Sequence, residues 1–249
     1  MVSNNEPEVS IIIPVYNEEN RLQCSLIKIQ DFLKDQPYTY EIFIVDDGST
    51  DNTLSTIKEI CNDDTRIKIS SYGGNRGKGY AVRFGMINSR GKYRLFTDAD
   101  LSTPIEEMTS LLERLDQGYN ICIGSRATPD SQIIEHQPFY REFLGITYNR
   151  IIRITMALPF FDTQCGFKCV KGDVASRLFP LLKVDGFGFD VEMLFVAKRL
   201  GYTIKENGVR WINSPATKVS MLRDPVNMLA TILKVYYHSW TGSYKEASE

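Results

Sequence analysis

The chain has 249 residues, 43% of them hydrophobic and 24% charged, with a formal net charge of −2. That composition suits a soluble chain with a sizeable core, as one large α/β domain or two small ones, and gives no overall reason to expect nucleic acid as a partner. Five cysteines, at 24, 61, 122, 165 and 169, with only His136 and His238 beside them, make no disulfide framework and no zinc site, so reduced thiols in a cytosolic protein are expected.

The stretch MVSNNEPEVS is polar and lacks the apolar core of a signal peptide. No run of about 18 uncharged apolar residues follows anywhere, so no transmembrane helix is expected. VSIIIPV (9–15) is a nearly continuous apolar run, the pattern of a strand buried on both faces. Leu22, Leu26, Ile29 and Leu33 then recur at helical spacing. YEIFIVDD (40–47) predicts a second buried strand, and Ser49, Thr50 and Asp51 offer caps for a helix through Leu54, Ile57 and Ile60. A third strand is expected at 66–72, a helix from Tyr80 to Ser89, a fourth strand in KYRLFTDAD, a helix starting at Pro104, and a fifth strand at 119–125.

The second half is less regular. Residues 141–161 are helical in pattern and strongly apolar, interrupted by Arg141, Arg150 and Arg153. FDTQCGFKCVK reads as a loop entering a short strand. A helix stopped by Gly201, extended structure at 202–212 and a last helix from Pro225 to about Trp240 complete the chain. No repeat, low-complexity segment or linker composition divides it, so 1–249 is expected to be one α/β domain. Its sheet should be mainly parallel, because strands alternate with helices.

In such sheets ligands bind beyond the carboxyl ends of the strands. The first strand ends at Pro14-Val15-Tyr16-Asn17-Glu18, the second at Asp46-Asp47-Gly48-Ser49 and the fourth at Asp98-Ala99-Asp100. Each cluster alone could merely cap its helix. Three together at one sheet edge point to a site. Tyr16, Glu18 and Asp46 suit the base and ribose of a nucleotide, since carboxylates accept from hydroxyls and ring N–H groups. Asp98 and Asp100 suit Mg2+ or Mn2+, hard cations that share their coordination shell with substrate phosphates. GGNRGKGYAVRFG (73–85) looks like a phosphate loop, with Gly77 and Gly79 allowing close backbone approach and Arg76 or Lys78 facing the nucleotide. It fits neither the Walker spacing nor the dinucleotide fingerprint, which disfavours a dinucleotide oxidoreductase.

IIIPVYNEE, IVDDGSTDNT, NRGKGYAVRFG and TDADLSTP, in that order, resemble the family 2 glycosyltransferases with the GT-A fold. IGSRA (123–127), DTQCGFK (162–168), FDVEML (189–194) and VRWINSPATK (209–218) narrow the resemblance to the dolichyl-phosphate β-glucosyltransferases, and more broadly to polyprenyl-phosphate glycosyltransferases. It covers roughly residues 9 to 235. The resemblance implies a nucleotide-sugar-binding half (9–125) and an acceptor-binding half (126–240). It implies that Pro14, Tyr16, Glu18 and Asp46 bind the nucleoside, with Asp47 and Ala99 beside the donor and Asp98 and Asp100 at the nucleotide and metal. It places Arg126 and Arg141 near an acceptor phosphate and Lys218 close to the active site. Asp162, Asp190 and Glu192 are further candidates to line the donor sugar or acceptor. Ser102 departs from the Gln of the mannose synthases, which weakens a mannosyl reading.

The implied reaction is inverting transfer of a hexose, glucose from UDP-glucose first, to a polyprenyl phosphate of dolichyl type. A GDP-mannose-dependent synthase, a transferase with a soluble glycan acceptor and a non-catalytic nucleotide-sugar-binding module remain open alternatives. Such a lipid acceptor predicts a peripheral enzyme on the cytoplasmic face of a membrane, alone or with a membrane-protein partner. The segment 141–161 and the helix carrying Met228, Leu229, Ile232, Leu233, Tyr236, Tyr237 and Trp240 are candidates to lie in the interface.

Overall fold

Side chains of Val9–Val15 alternate between two faces of strand β1, and both faces are covered: Ile11, Ile12 and Ile13 are all buried. The computed structural model describes residues 6–61, 64–213 and 223–244, with all side chains among them except those of Arg141 and residues 223–229. After β1 come α1 (Leu22–Lys34), β2 (Tyr40–Asp46), α2 (Thr53–Cys61), β3 (Ile67–Ser71), α3 (Lys78–Asn88), β4 (Tyr93–Phe96), α4 (Met108–Asp116) and β5 (Ile121–Ser125). The second half adds β6 (Gln132–Glu135), α5 (Phe139–Thr155), β7 (Lys168–Lys171), α6 (Gly172–Leu178), α7 (Phe189–Arg199), β8 (Ile204–Gly208), β9 (Arg210–Ile212) and α8 (Arg223–Trp240).

Seven strands form one sheet in the order β3-β2-β1-β4-β7-β5-β8, and β6 pairs with β9 in a small parallel ribbon. Every pairing in the large sheet is parallel except those of β7, which runs antiparallel between β4 and β5. Because β1 is flanked by β2 on one side and β4 on the other, successive connections diverge there. That topological switch leaves a crevice beyond the carboxyl ends of β1 and β4.

Helices cover both faces. Leu22, Leu26, Ile29 and Leu33 of α1 pack with Ile57 of α2, Leu111 of α4, and Ile11 and Ile13 of β1. On the other face α3, α6 and α7 pack against Ile12, Val45 and Phe96, with Ile152 of α5 and Val235 of α8 closing that layer. Residues of α5 and α8 turned away from the core stay exposed, among them Phe139, Phe143, Ile146, Ile154, Leu233, Tyr237 and Trp240. Among the described residues, no helix is long and apolar enough to cross a membrane.

Several expected boundaries move for identifiable reasons. The helix expected over 141–161 ends at Thr155, because Pro159 disfavours helical backbone at Leu158 and Ala157 turns left-handed with φ 50°. Pro104 precedes a 3-10 turn, Ile105–Glu107, and α4 proper begins only at Met108. α3 starts at Lys78 rather than Tyr80, which places the end of the glycine-rich segment inside the helix. The strand expected to include TDAD ends at Phe96, so both aspartates lie beyond the sheet. Extended structure at 202–212 divides between β8 and β9, which belong to different sheets. Gly201, with φ 80°, stops α7 as expected.

Gly85 sets how closely α3 approaches the sheet, since a Cβ there would lie 2.4 Å from Ile12 Cγ2 and 3.1 Å from Val45 Cγ2. Alanine would gain about 1 kcal/mol of helix propensity, but a β-branched neighbour packed in a strand cannot swing away, and overpacking costs about 1–3 kcal/mol. Gly85→Ala is therefore expected to lower stability by about 1 kcal/mol in urea unfolding followed by circular dichroism. A stabilised variant would show that α3 has room to move.

Candidate active site

The loops after β1 and β2 are stitched together by short polar side chains. Asn17, left-handed at φ 53°, accepts a hydrogen bond from Thr50 N–H through Oδ1 (2.8 Å), while its own N–H donates to Ser49 Oγ at 2.9 Å. Glu18 N–H donates to Thr53 Oγ1 at 2.7 Å. Asp51 accepts from Thr53 N–H at 3.0 Å, capping α2 as expected of that residue. This arrangement leaves Tyr16 more than one-third exposed at the rim, just past Pro14 near the end of β1. Glu18 is turned onto Arg21, with contacts of 2.6 and 2.9 Å to the two carboxylate oxygens.

Asp46 and Asp47 are both buried. Asp46 accepts from Ser49 N–H at 3.1 Å and Ser71 Oγ at 2.8 Å. Asp47 takes Tyr72 Oη (2.9 Å) and Arg76 N–H (2.8 Å) on one oxygen, and Gly77 N–H (2.9 Å) on the other. In this structure both carboxylates face protein donors, and Asp47 clamps the glycine-rich segment to the end of β2. Gly48 makes the crossing possible: a Cβ there would meet the backbone of Gly74 at 2.5 Å. Arg76 lies over the Tyr80 ring, 3.6 Å from its centroid.

Asp98, Ala99 and Asp100 leave β4 at the crevice. Ala99 is buried, while Asp98 and Asp100 are partly exposed. Asp100 accepts from Ser102 N–H at 3.0 Å. Lys78 Nζ lies 2.5 Å from Asp98 Oδ1. The negative charge of Asp98 also acts on Arg21 from the first loop and on Arg126 from the end of β5. Beneath Asp98 lies Gly166, where a Cβ would fall only 2.1 Å from Oδ2. A side chain at position 166 of DTQCGFK would therefore displace the Asp98 carboxylate.

Arg126 is aimed by Asp162. Its Nε and Nη2 donate to the two carboxylate oxygens at 2.6 and 3.0 Å, and its backbone N–H adds a third contact at 3.1 Å. Glu206 of β8 fixes that turn by accepting from Asp162 N–H at 2.8 Å and Phe161 N–H at 2.9 Å. Burial alone would raise the Asp162 pKa, but the Arg126 guanidinium outweighs it and holds the group at about 2. Asp162 is buried, so any part it plays at the crevice would run through Arg126.

Asp190 and Lys168 form a second buried pair close by, at 2.5 Å. Burial pushes the Asp190 carboxyl up, partly offset by Lys168 and Lys78. Glu192 faces elsewhere: it accepts from Lys183 N–H, Val184 N–H and Tyr244 Oη at 2.9, 2.8 and 2.6 Å, capping the loop before α7. Arg141 lies on α5, and Lys218 falls outside the described residues. Sequence reading missed Arg21, whose signal is its spacing of three from Glu18, and Lys168, hidden in an apolar strand.

Two carboxylates with oxygen donors fit a hard divalent cation that takes its remaining ligands from phosphate and water. Among the described residues no cluster of three His, Cys, Asp or Glu offers an all-protein cage. Asp98 and Asp100 would hold such an ion, with Lys78 and Arg76 on the side of α3.

A family model described as glycosyl transferase family 2 matches residues 10–179. The dolichyl-phosphate beta-glucosyltransferase of Dictyostelium discoideum is 33% identical, over 98% of this chain and 80% of that protein. The enzyme of that name from Drosophila melanogaster is 32% identical, over 97% and 78%. Among solved structures, glucosyl-3-phosphoglycerate synthase from Mycobacterium tuberculosis, in complex with Mn2+, UDP and glucosyl-3-phosphoglycerate, superposes with a TM-score of 0.67. It is 17% identical and matches 92% of this chain and 80% of that one. The expected GT-A architecture, a mostly parallel sheet flanked by helices, is the fold observed.

Removing the Asp162 charge leaves the partly buried Arg126 guanidinium without its partner, a change that costs at most roughly 3 kcal/mol. Asp162→Asn should show that loss in urea unfolding at neutral pH. The folded pKa lies below the unfolded value of about 3.9, so the stabilisation is complete above about pH 4 and fades as pH falls through 2. The gap between wild type and variant is therefore expected to narrow across that window. A gap independent of pH would mean that the pair contributes no charge stabilisation.

Proposed function

The chain belongs to glycosyl transferase family 2, and on that premise we propose that it transfers glucose from UDP-glucose, with inversion, to a dolichyl-type polyprenyl phosphate. The observation that carries this reading is the Lys78–Asp98 ion pair at the crevice, with the charge of Asp98 acting also on Arg21 and Arg126, which are themselves paired with Glu18 and Asp162. Donor and acceptor each bring phosphate, and both would be received at one carboxylate-centred crevice. The names and extents of the relatives, matched across nearly the whole chain, support the lipid phosphate as acceptor.

Tyr16 would face the base at the rim, and the α3 end would receive the diphosphate through Arg76, Lys78 and the close backbone at Gly77. Asp98 and Asp100 would hold Mg2+ or Mn2+, which when bound supplies charge neutralisation to the departing diphosphate. The acceptor phosphate oxygen attacks the anomeric carbon. A carbon–oxygen bond forms as the bond from that carbon to the UDP oxygen breaks on the opposite face, and the electron pair leaves with UDP. A phosphate monoester is largely ionised near neutral pH, so no side chain need remove a proton. Arg126 would orient the anion with the part of its guanidinium that Asp162 leaves unused, a positioning task suited to a planar fork. Arg141 and Lys218 are assigned to the same anion from their sequence context.

An acceptor with a polyprenyl tail lies in a bilayer, so the enzyme is assigned to the cytoplasmic membrane surface as a peripheral protein. Phe139 (82% exposed), Ile154 (74%), Leu233 (73%) and Trp240 (86%) support that placement for α5 and α8.

Incubation with radiolabelled UDP-glucose and dolichyl phosphate is expected to give chloroform-soluble label, with little from GDP-mannose. Label confined to the aqueous phase would contradict the lipid acceptor, and preference for GDP-mannose would contradict the donor. Asp100→Ala is expected to lose metal-dependent transfer by at least about a hundredfold, as for removal of a group that stabilises leaving-group charge. Near-normal turnover would remove the metal assignment. Replacing Leu233, Tyr237 and Trp240 together by Ser should weaken vesicle sedimentation at least tenfold, because burying three such side chains contributes roughly 4–8 kcal/mol. Unchanged sedimentation would exclude α8 as the contact.

A further inference from the structure

Lys78 occupies an electrostatically awkward place. It is the first residue of α3, whose first turn carries no acidic residue and whose N-cap, Gly77, supplies no side-chain acceptor. A cation at the positive end of a helix dipole is disfavoured unless an anion lies beside it. Asp98 is that anion, 2.5 Å away, and the two side chains are 20% and 39% exposed. Asp190 adds a second negative charge acting on Lys78, with its Oδ1 taken by Lys168 at 2.5 Å.

The backbone around this pair has little freedom. Asp47 holds the N–H groups of Arg76 and Gly77, and Tyr80 N–H donates to Asp185 O at 3.1 Å. Gly77 has φ 103° and so little clearance that a Cβ would lie 2.5 Å from Asp185 O. Gly79 is wedged against Phe189 Cβ, at 2.6 Å from the position a Cβ would take. On the other side Gly166 supports the Asp98 carboxylate. What can move is the lysine side chain, a compact charge on a flexible four-carbon stem.

We propose that Lys78 competes with the divalent ion for Asp98, and that the donor diphosphate opens Asp98 to the metal by drawing the ammonium onto its own oxygens. This inference rests on the metal reading of Asp98 and Asp100 given under Proposed function. Metal and diphosphate then bind cooperatively for a reason additional to their direct contact. By linkage the metal strengthens diphosphate binding by the same factor. A nucleotide ending at one phosphate would release Lys78 less effectively than UDP.

The test is Mn2+ affinity without nucleotide, read from the electron paramagnetic resonance signal of free Mn2+, for wild type, Lys78→Gln and Lys78→Arg. Circular dichroism melting verifies that each variant is folded, and Lys78→Met provides the same comparison if the Gln variant is not. Removing the lysine charge is expected to tighten Mn2+ binding at least about fivefold, the lower end of ordinary coupling between sites. The enhancement produced by UDP is expected to shrink accordingly, while Lys78→Arg stays close to wild type. Equal or weaker Mn2+ binding by the folded neutral variants, with wild type binding Mn2+ in the presence of UDP, overturns the competition alone. No Mn2+ binding by any form, with or without UDP, overturns the metal reading and the competition together.

Discussion

A carboxylate just past the end of a central strand, ion-paired with the lysine that opens α3, is the constraint around which the crevice is arranged. Asp98 can be there because β4 adjoins β1 at the topological switch, and because Gly166 leaves room beneath its oxygens. Its charge acts on Lys78, Arg21 and Arg126. Like charges brought together repel unless cations offset them. Asp98, Asp100 and Asp190 would otherwise be costly neighbours, and Lys78 and Lys168 make their assembly tolerable. On the proposed function, the same positive groups would receive phosphate, so one arrangement would serve both stability and binding.

The first half of the sheet was legible in the sequence because strands buried on both faces are written as apolar runs, as in SIIIPV and EIFIVDD. The rule that ligands gather beyond the carboxyl ends of parallel strands then located Tyr16, Glu18 and the two aspartates at one edge. Other features depend on partners remote in sequence. The protein partners of Asp46 and Asp47, namely Ser71, Tyr72 and the backbone of residues 76 and 77, are among them. The antiparallel insertion of β7 between β4 and β5 has no local signal, since direction is decided by pairing. The short helix α6 and strand β6 are too brief for periodicity to reveal, and the apolar stretch after Thr155 looked helical until Pro159 is given its due.

On the proposed function, the two halves would divide the labour. The parallel half fixes backbone to within hydrogen-bond tolerances: Asp47 braces the glycine-rich segment, and Asn17 ties the first loop to the second. The second half contributes Arg126, aimed by Asp162 and Glu206, and carries the exposed apolar faces of α5 and α8. A donor that is wholly polar and an acceptor with a lipid tail would thus be met by surfaces of matching character. The transfer chemistry needs little more than this positioning, because a phosphate acceptor arrives already charged.

The most direct measurement is a crystal structure of the chain with UDP and Mn2+, with the metal located by its anomalous scattering. The account predicts a single strong peak within coordination distance of the Asp98 and Asp100 carboxylates, bridged to the diphosphate at the start of α3. A peak elsewhere, or UDP bound away from the carboxyl ends of β1 and β4, would contradict it.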